Sequence, residues 1–242
     1  MIRLNKIQNG IGFLFSPSLC LCCEKTLVHS GSPLCPSCLE KFFLLPIQHL
    51  NFKSLDSQRC IKCGRPLISE HELCTTCRTT PFLNVIDRII PLFPYTSLGQ
   101  VLLTSWKIKG CRGLSLVFAQ CYVAVLKYSD VVVVPVPPRP GKIREKGWDQ
   151  MEEISVFLEK EYKIKIARIL KRKESFQQKK LGRIERKLNL KGKITVLQDA
   201  IIPETVILID DLMTTGSTLD ACAEALKSCG THIVYGLTLF HD

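Results

Sequence analysis

Cysteine spacing constrains the fold of this chain more than any other sequence feature. Eight of the 13 cysteines form four Cys-x-x-Cys pairs, arranged in two units whose corresponding cysteines lie 39 or 40 residues apart. Each unit offers four thiolates on two tight turns, the ligand set that tetrahedral Zn²⁺ prefers. We therefore predict a double zinc ribbon over residues 1–80 with two structural zinc ions. The predicted ligands are Cys20, Cys23, Cys35 and Cys38 in the first unit and Cys60, Cys63, Cys74 and Cys77 in the second.

Spacing leaves alternatives open for these cysteines. Structural thiols or disulfides are one alternative, and zinc ligation by interleaved units is another, although the loops of 11 and 10 residues between the pairs favour sequential sets. Cys22 is a rival ligand because it adjoins Cys23. Gly64, directly after Cys63, allows backbone N–H groups to turn toward the sulfurs. Core positions are expected for the remaining cysteines, which are Cys22, Cys111, Cys121, Cys222 and Cys229.

Positive charge is concentrated in one part of the chain. The 242 residues include 33 Lys and Arg against 22 Asp and Glu, a net charge of +11, and residues 139–193 hold 18 of the basic and 8 of the acidic residues. This excess favours a polyanionic partner: nucleic acid, a phosphorylated metabolite or an acidic membrane surface. No apolar run approaches the roughly 20 residues of a membrane span. A lipoprotein signal before Cys20 is an alternative, but Asn9 and Gly10 interrupt its apolar part, and we expect a cytoplasmic protein.

After residue 80 the sequence changes to alternating strand and helix patterns. Apolar, β-branched runs predict buried parallel strands at 131–134, 205–209 and 233–240. Apolar residues recur at helical spacing at 151–162 and 219–229. This alternation predicts a doubly wound α/β domain over residues 81–242, a parallel sheet flanked by helices with its site at the carboxyl ends of the strands.

Residues 206–218 are the most informative segment. An apolar strand runs into Asp210 and Asp211 and then into a turn that opens a helix. The carboxylates can accept hydrogen bonds from vicinal hydroxyls, and the N–H groups of the turn and helix N-terminus can bind a phosphate. These properties predict a ribose-phosphate site, although paired aspartates at a strand end also fit a Mg²⁺ site of the response-regulator type. The turn comprises Thr214, Thr215, Gly216, Ser217 and Thr218.

The segment resembles the phosphoribosyl pyrophosphate (PRPP) signature of type I phosphoribosyltransferases. Together with the cysteine-rich ribbons and the motifs at 135–140, 144–150 and 178–186, it resembles the ComF family of competence-associated proteins over nearly the whole chain. This resemblance implies a phosphoribosyltransferase-like domain in which Asp210 and Asp211 bind the ribose hydroxyls. The turn at 214–218 would bind the 5′-phosphate.

Further residue roles follow from the same resemblance. Pro137 and Pro138 stand at a strand-to-loop junction similar to one that holds pyrophosphate in these transferases. Asp149 departs from the family pattern, which more usually has Asn there, and this leaves its role open. Lys107, in a Lys-x-x-Gly turn similar to one of the family, is either a ligand contact or an ordinary surface lysine. The five histidines are assigned no catalytic role.

Basic residues are densest at 171–193, and this segment has more than one possible function. In transferases of this fold a loop in the same chain position closes over the pyrophosphate, which implies a cationic lid of Lys180, Arg183 and Arg186. The same residues could bind the phosphates of a nucleic-acid backbone. A merely solvated charged face is the third interpretation.

Two functions are therefore consistent with the sequence. The resemblance implies a Mg²⁺-dependent enzyme that transfers a 5-phosphoribosyl group from PRPP with release of pyrophosphate. It also implies a role with single-stranded DNA in natural transformation, with a helicase-like ATPase as a candidate partner. The alternative is a non-catalytic, PRPP- or nucleotide-responsive scaffold that binds single-stranded DNA through its ribbons and basic segment.

Overall fold

The computed structural model of the chain describes residues 19–27, 31–50, 58–67, 71–79, 83–126, 129–173 and 192–242. Its centre is a parallel sheet whose four strands lie in the spatial order β1 (Arg88–Pro94), β6 (Ile233–His241), β5 (Thr205–Met213) and β2 (Val132–Pro135). A separate antiparallel pair consists of β3 (Leu170–Arg172) and β4 (Ile194–Val196). Strands β5 and β6 are therefore central, and both are strongly apolar.

Helices flank this sheet. The longer ones are α3 (Ser97–Lys107), α4 (Gly113–Leu126), α6 (Gln150–Lys160) and α7 (Ser217–Lys227). The shorter ones are α1 (Pro36–Leu39), α2 (Thr75–Thr79) and α5 (Lys142–Lys146), and α1 continues into a π-helical turn at Glu40–Leu44 and a 3₁₀ turn at Leu45–Ile47. The predicted fold class, a parallel sheet with flanking helices and two four-cysteine groups before it, is confirmed. Among the described ranges, no helix has the length and apolar character needed to cross a membrane.

Each face of the sheet carries its own hydrophobic core, because side chains alternate along a strand. Ile207 and Ile209 pack in one core with α3, α4 and α6. Val206 and Leu208 pack in the other with α7 and β4. Each core also contains buried cysteines of one ribbon, the first ribbon in the first core and the second ribbon in the second. The two ribbons thus lie against opposite faces of the same sheet.

The sequence patterns predicted β2, β5 and β6 but not β1 or α4. Pro91 and Pro94 argue against a strand at β1, yet an edge strand that pairs only with β6 tolerates prolines. Helix α4 is buried on most of its surface and has no broad polar face. The contrast that reveals an amphipathic helix is therefore missing from its sequence.

Candidate functional site

Each four-cysteine unit forms its own sulfur cluster. In both clusters the four sulfur atoms lie within 4.8 Å of one another. The Sγ atoms of Cys23 and Cys35 are 3.8 Å apart, and those of Cys63 and Cys74 are 3.6 Å apart. Tetrahedral zinc with Zn–S bonds of about 2.3 Å requires sulfurs about 3.8 Å apart. The sets are therefore sequential, not interleaved, and their geometry fits zinc.

The two ribbons repeat the same backbone turn after their first cysteine pair. The N–H of Glu24 donates to the Cys20 carbonyl at 2.9 Å, just as the N–H of Gly64 donates to the Cys60 carbonyl at 2.9 Å. Glu24 and Gly64 both have positive φ, 60° and 67°. Only the second ribbon needs glycine for reasons of space, because a Cβ on Gly64 would lie 2.2 Å from the carbonyl oxygen of Ile89 in β1.

The thiols of the second cluster differ in how readily they ionise. Burial raises the pKa of Cys63, and burial together with the charge of Cys60 raises the pKa of Cys77 to about 12. Burial opposes the ionisation of Cys60 too, but hydrogen bonds from the backbone of Cys63 and Cys74 outweigh it and lower its pKa to about 7. A divalent cation would remove the repulsion among four neighbouring thiolates. Binding of zinc by this cluster would therefore have to displace the thiol protons of Cys63 and Cys77.

Metal-replete protein is expected to contain about two zinc ions per chain. Elemental analysis after gel filtration measures this ratio directly. Cys63→Ser is expected to lose one zinc and to lower the yield of folded protein, because it opens a closed site. Cys111→Ser is the control, since Cys111 lies outside both clusters and should keep two zinc ions. One zinc or none in the wild-type protein would contradict the prediction.

The cysteines outside the clusters differ in exposure. Cys121 and Cys222 are fully buried, as expected. Cys22 and Cys111 are partly buried, and Cys22, the rival ligand, lies outside the sulfur cluster of its neighbours. The expected core position is wrong for Cys229, which is exposed in the turn after α7. The helix ends at Lys227, so this cysteine no longer shares its buried face.

Asp210 and Asp211 lie near the carboxyl end of β5, between the neighbouring strands β6 and β2. The carboxylate of Asp210 accepts a hydrogen bond from the N–H of Asp211 at 2.9 Å. The hydroxyl of Tyr122 in α4 donates to the backbone carbonyl of Asp210 at 2.7 Å and anchors this part of the strand. The acidic pair therefore occupies the edge at which open α/β sheets bind ligands.

Lys107, the last residue of α3, contacts this acidic pair. Its Nζ lies 2.6 Å from Oδ1 of Asp211, and the two side chains are 30% and 13% exposed. Lys146 Nζ donates to the backbone carbonyl of Lys107 at 3.0 Å, which ties the end of α3 to α5. The position favours the ligand-contact interpretation of Lys107 over that of an ordinary surface lysine.

The two carboxyl groups of the pair do not ionise alike. Burial, and then the charge of Asp211, raises the pKa of Asp210 to about 7, although Lys107 and Lys142 act in the opposite direction. Asp210 thus exchanges its proton near neutral pH. A carboxyl group perturbed in this way, at the ligand-binding edge of a sheet, is typical of a functional site.

The turn at residues 214–218 joins β5 to α7. Gly216 has a φ of 76° and is the N-cap residue of α7, and a Cβ there would lie 2.4 Å from Cδ2 of Leu83. The hydroxyls of Thr215 and Ser217 are 2.8 Å apart. The five predicted phosphate-binding residues are therefore contiguous at a strand-to-helix junction, with the first N–H groups of an 11-residue helix beside them.

Pro137 and Pro138 lie at the same edge, directly after β2. The N–H of Val136 donates to the carbonyl of Ile209 at 3.0 Å, which keeps this segment beside β5 immediately before the acidic pair. Pro137 is buried and Pro138 is partly buried. The structure thus places the predicted pyrophosphate junction and the predicted ribose contacts on neighbouring strands.

Asp149 has a structural role that its sequence position left open. It is the N-cap residue of α6, where its carboxylate accepts the N–H of Glu152 at 2.9 Å. The other carboxylate oxygen lies 2.8 Å from Nζ of Lys142. Aspartate is a good helix N-cap, so Asp149 both caps α6 and pairs with Lys142.

The predicted lid residues Lys180, Arg183 and Arg186 lie outside the described residues, and their role stays a prediction. Residues 171–173, at the start of the densest basic segment, lie among the described residues. Lys171 and Lys173 are exposed, as a nucleic-acid contact requires, whereas the intervening Arg172 is partly buried.

Arg172 differs from its two exposed neighbours in its electrostatic surroundings. Burial and the charge of Arg139 lower the pKa of its guanidinium, while Cys222 and Asp210 act in the opposite direction. Arg172 and Asp210 therefore interact electrostatically.

Three contacts at the site were not predicted from the sequence. Lys142 acts electrostatically on Asp210, and its only sequence signal was membership of the basic segment. Tyr122 stands in an apolar helix without a pattern that marks it. Arg65 donates from Nη2 to the carbonyl of Thr214 at 3.0 Å, across 149 residues of sequence.

No family model matches the chain. Among curated proteins, a competence protein ComFC of Streptococcus pneumoniae is 26% identical over 223 residues, which cover 91% of this chain and 87% of that protein. A competence protein ComFC of Bacillus subtilis is 23% identical over 244 residues, covering 93% of this chain and 95% of that protein. Competence protein F of Haemophilus influenzae is 24% identical over 225 residues, covering 87% and 91%.

These matches extend over both parts of the chain, the ribbons and the α/β domain. The chain is thus similar, over about nine-tenths of its length, to three competence proteins, and this similarity supports the predicted resemblance to the ComF family.

Proposed function

We propose that the chain binds PRPP at the carboxyl edge of its sheet and acts there as a Mg²⁺-dependent phosphoribosyltransferase during DNA uptake. The observation that carries the proposal is the position of Asp210 and Asp211 near the end of β5, just before the turn at Gly216 that opens α7. The relatives are named as competence proteins, which supports the DNA-uptake context. Metal binding by thiolates favours a reducing compartment, the cytoplasm.

The charges at this edge suit phosphoribosyl transfer. When the bond between C1 of the ribose and pyrophosphate breaks, the leaving oxygen takes the electron pair and positive charge develops on the sugar. A nucleophilic atom of the acceptor then forms the new bond to C1 and loses its proton. The carboxylates of Asp210 and Asp211 would stabilise that charge and accept the ribose hydroxyls. Cations near the same pair, Lys107 and Arg172, would oppose the negative charge of the departing pyrophosphate.

Mg²⁺ would enter together with PRPP. It prefers oxygen ligands, and the carboxylates of Asp210 and Asp211 provide such donors beside the predicted diphosphate position, so the donor set fits. When bound, the ion supplies neutralisation of the diphosphate. The chain itself would orient the sugar through the acidic pair and the 5′-phosphate through residues 214–218.

Turnover tests this proposal. Purified protein with Mg²⁺, labelled PRPP and candidate acceptors, including single-stranded DNA and nucleobases, is expected to release pyrophosphate faster than PRPP alone does. Chelation with EDTA provides the metal-free control, once the zinc content has been checked after treatment. Calorimetric binding of Mg·PRPP without pyrophosphate release with any acceptor would contradict the enzyme and favour a ligand-responsive scaffold.

The non-catalytic scaffold for single-stranded DNA is the second candidate. Exposed basic side chains favour this candidate. Some lie in the segment after β2, near the carboxyl edge of the sheet, and others lie on β3 or directly after it. These are Arg139, Arg144, Lys146, Lys171 and Lys173. A helicase-like ATPase of the uptake machinery is a partner that this candidate would share with the enzyme.

The salt dependence of DNA affinity shows whether the basic residues bind DNA or only the phosphates of a small metabolite. Affinity for single-stranded DNA should fall with log[salt] at a slope of about 0.7 per neutralised phosphate. Replacement of Lys171 and Lys173 by alanine should flatten that slope. Failure of the wild-type protein to bind single-stranded DNA at low salt would remove this candidate.

A further inference from the structure

The second ribbon packs directly beneath the turn that we propose for phosphate binding. Cys60 and Cys63 share a hydrophobic core with Met213, which immediately precedes the turn, and with Leu219 in the first turns of α7. The same core contains Leu83, against which Gly216 packs so closely that a Cβ would be 2.4 Å from it. The ribbon and the turn are therefore parts of one packed unit.

The ribbon is also fixed to the edge strand β1. The N–H of Ile89 donates to the carbonyl of Lys62 at 2.9 Å, and Nη1 of Arg59 donates to the carbonyl of Pro91 at 3.0 Å. Gly64 approaches β1 so closely that no Cβ fits between them. The first Cys-x-x-Cys turn of this ribbon thus has a defined position relative to the sheet.

Arg65 connects this fixed turn to the phosphate turn. Its backbone carbonyl accepts the N–H of Cys60 at 2.8 Å, so its main chain belongs to the cysteine turn. Its Nη2 donates to the carbonyl of Thr214 at 3.0 Å and also to the carbonyl of Asp242. The position of the Arg65 backbone is therefore set by the second cysteine cluster, and its guanidinium holds the first residue of the proposed phosphate-binding turn.

The orientation of one peptide group follows from this contact. In a trans peptide the C=O and the following N–H point in opposite directions. With the carbonyl of Thr214 directed at Arg65, the N–H of Thr215 is directed away from the ribbon. Loss of the arginine contact would free this peptide to rotate, and an anion site built from backbone N–H groups depends on their fixed directions.

The ribbons provide an internal comparison. Lys25 is the counterpart of Arg65 in the first ribbon, because its carbonyl accepts the N–H of Cys20 at 2.9 Å as that of Arg65 accepts the N–H of Cys60. Lys25 is exposed, and the first ribbon packs in the core on the opposite face of the sheet. The coupling to the phosphate turn belongs to the second ribbon alone among the described residues.

We infer that the second cysteine cluster is a positioning element of the ligand site, and that metal bound by Cys60, Cys63, Cys74 and Cys77 holds the phosphate turn through the positioning residue Arg65. This inference rests on the proposed function for the direction of its effect on PRPP. The coupling between the second cysteine cluster and residues 214–218 does not itself depend on PRPP.

Hydrogen exchange of the ligand-free protein tests the coupling. Arg65→Met is expected to speed amide exchange in residues 214–218 about tenfold, the effect of losing one hydrogen bond to a charged group. Lys25→Met should leave exchange in that segment unchanged. Cys74→Ser and Cys35→Ser remove the third ligand of the second and first cluster, and only Cys74→Ser should speed exchange at 214–218. Equal exchange in wild type, Arg65→Met and Cys74→Ser would overturn the inference.

Calorimetry separates this inference from the proposed function. If both hold, Arg65→Met weakens Mg·PRPP about tenfold, while Lys25→Met binds like the wild type. If the wild-type protein does not bind Mg·PRPP but Arg65→Met still speeds exchange at 214–218, the proposed function fails and the coupling stands. Unchanged PRPP affinity in Arg65→Met, with wild-type binding intact, would overturn the positioning role.

Discussion

Replacing Asp211 by asparagine is expected to weaken Mg·PRPP binding by about 10- to 100-fold, the range for losing charge-assisted hydrogen bonds. The carboxylate would lose its charge toward the ribose hydroxyls, and Lys107 would lose the partner that lies 2.6 Å from its Nζ. Little loss of fold is expected, because asparagine keeps the shape of the side chain. Titration calorimetry on folded protein measures the change.

A matched control is Asp199→Asn, which removes an exposed carboxylate in the turn after β4. It should bind Mg·PRPP like the wild type. Asp210→Asn should also weaken binding, since it removes the second acceptor of the pair. Wild-type affinity in both Asp210→Asn and Asp211→Asn would show that the acidic pair does not bind PRPP.

Asp210→Asn carries a second expected result, which depends on pH. The pKa of Asp210 is raised to about 7 in the folded chain, against about 3.9 in an unfolded one. The folded state therefore holds more protons between these values, and stability falls as pH rises from about 4 to 7. Asparagine removes this penalty, so the variant should be more stable than the wild type by about 1–3 kcal/mol at pH 8 and by little at pH 4. Thermal melts across this pH range would show the difference.

Gly64→Ala is expected to destabilise the protein by about 3 kcal/mol or more, through strain at positive φ and through overpacking. The residue has a φ of 67°, and a new Cβ would lie 2.2 Å from the carbonyl oxygen of Ile89 and 2.5 Å from Cδ of Pro91. Backbone and a proline ring cannot move aside as a flexible side chain can. At this chain length such a loss corresponds to a fall in Tm of roughly 6–12 °C.

Gly147→Ala separates strain from overpacking. Gly147 has a φ of 74°, but nothing lies within 4 Å of the position of its Cβ. It should therefore lose only about 1 kcal/mol, the cost of an alanine in the left-handed region. Equal losses in the two variants would mean that the close approach between the second ribbon and β1 does not contribute to stability.

Local chemistry explains which parts of the site could be predicted. Asp210, Asp211 and Gly216 lie within one short segment of the sequence, and the role predicted for each follows from its residue type and its neighbours. The two cysteine clusters could be predicted equally well, because spacing within a short segment determines which thiol groups can meet. Lys107 was recognised only as one of two possibilities, since its partner Asp211 lies 104 residues away.

The remaining features depend on packing between distant segments. Pro91 argued against a strand at β1. An edge strand tolerates proline, but whether a strand lies at the edge is decided by the assembled sheet and not by its own sequence. Nothing in the two ribbon sequences indicates that they cover opposite faces, because both follow the same cysteine pattern. Arg65 could not be assigned for the same reason, since its role arises only where the second ribbon meets the end of β5.

The division of the ribbons between two faces has a consequence for the order of folding during synthesis. The second cluster is translated long before β5 and β6, which supply much of the core that covers it, and its bond from Arg65 to Thr214 spans 149 residues. Contacts between such distant residues form slowly. A ribbon that binds metal as it leaves the ribosome therefore keeps apolar surface uncovered until β6 has been made, and this interval is when the nascent chain is most prone to aggregate.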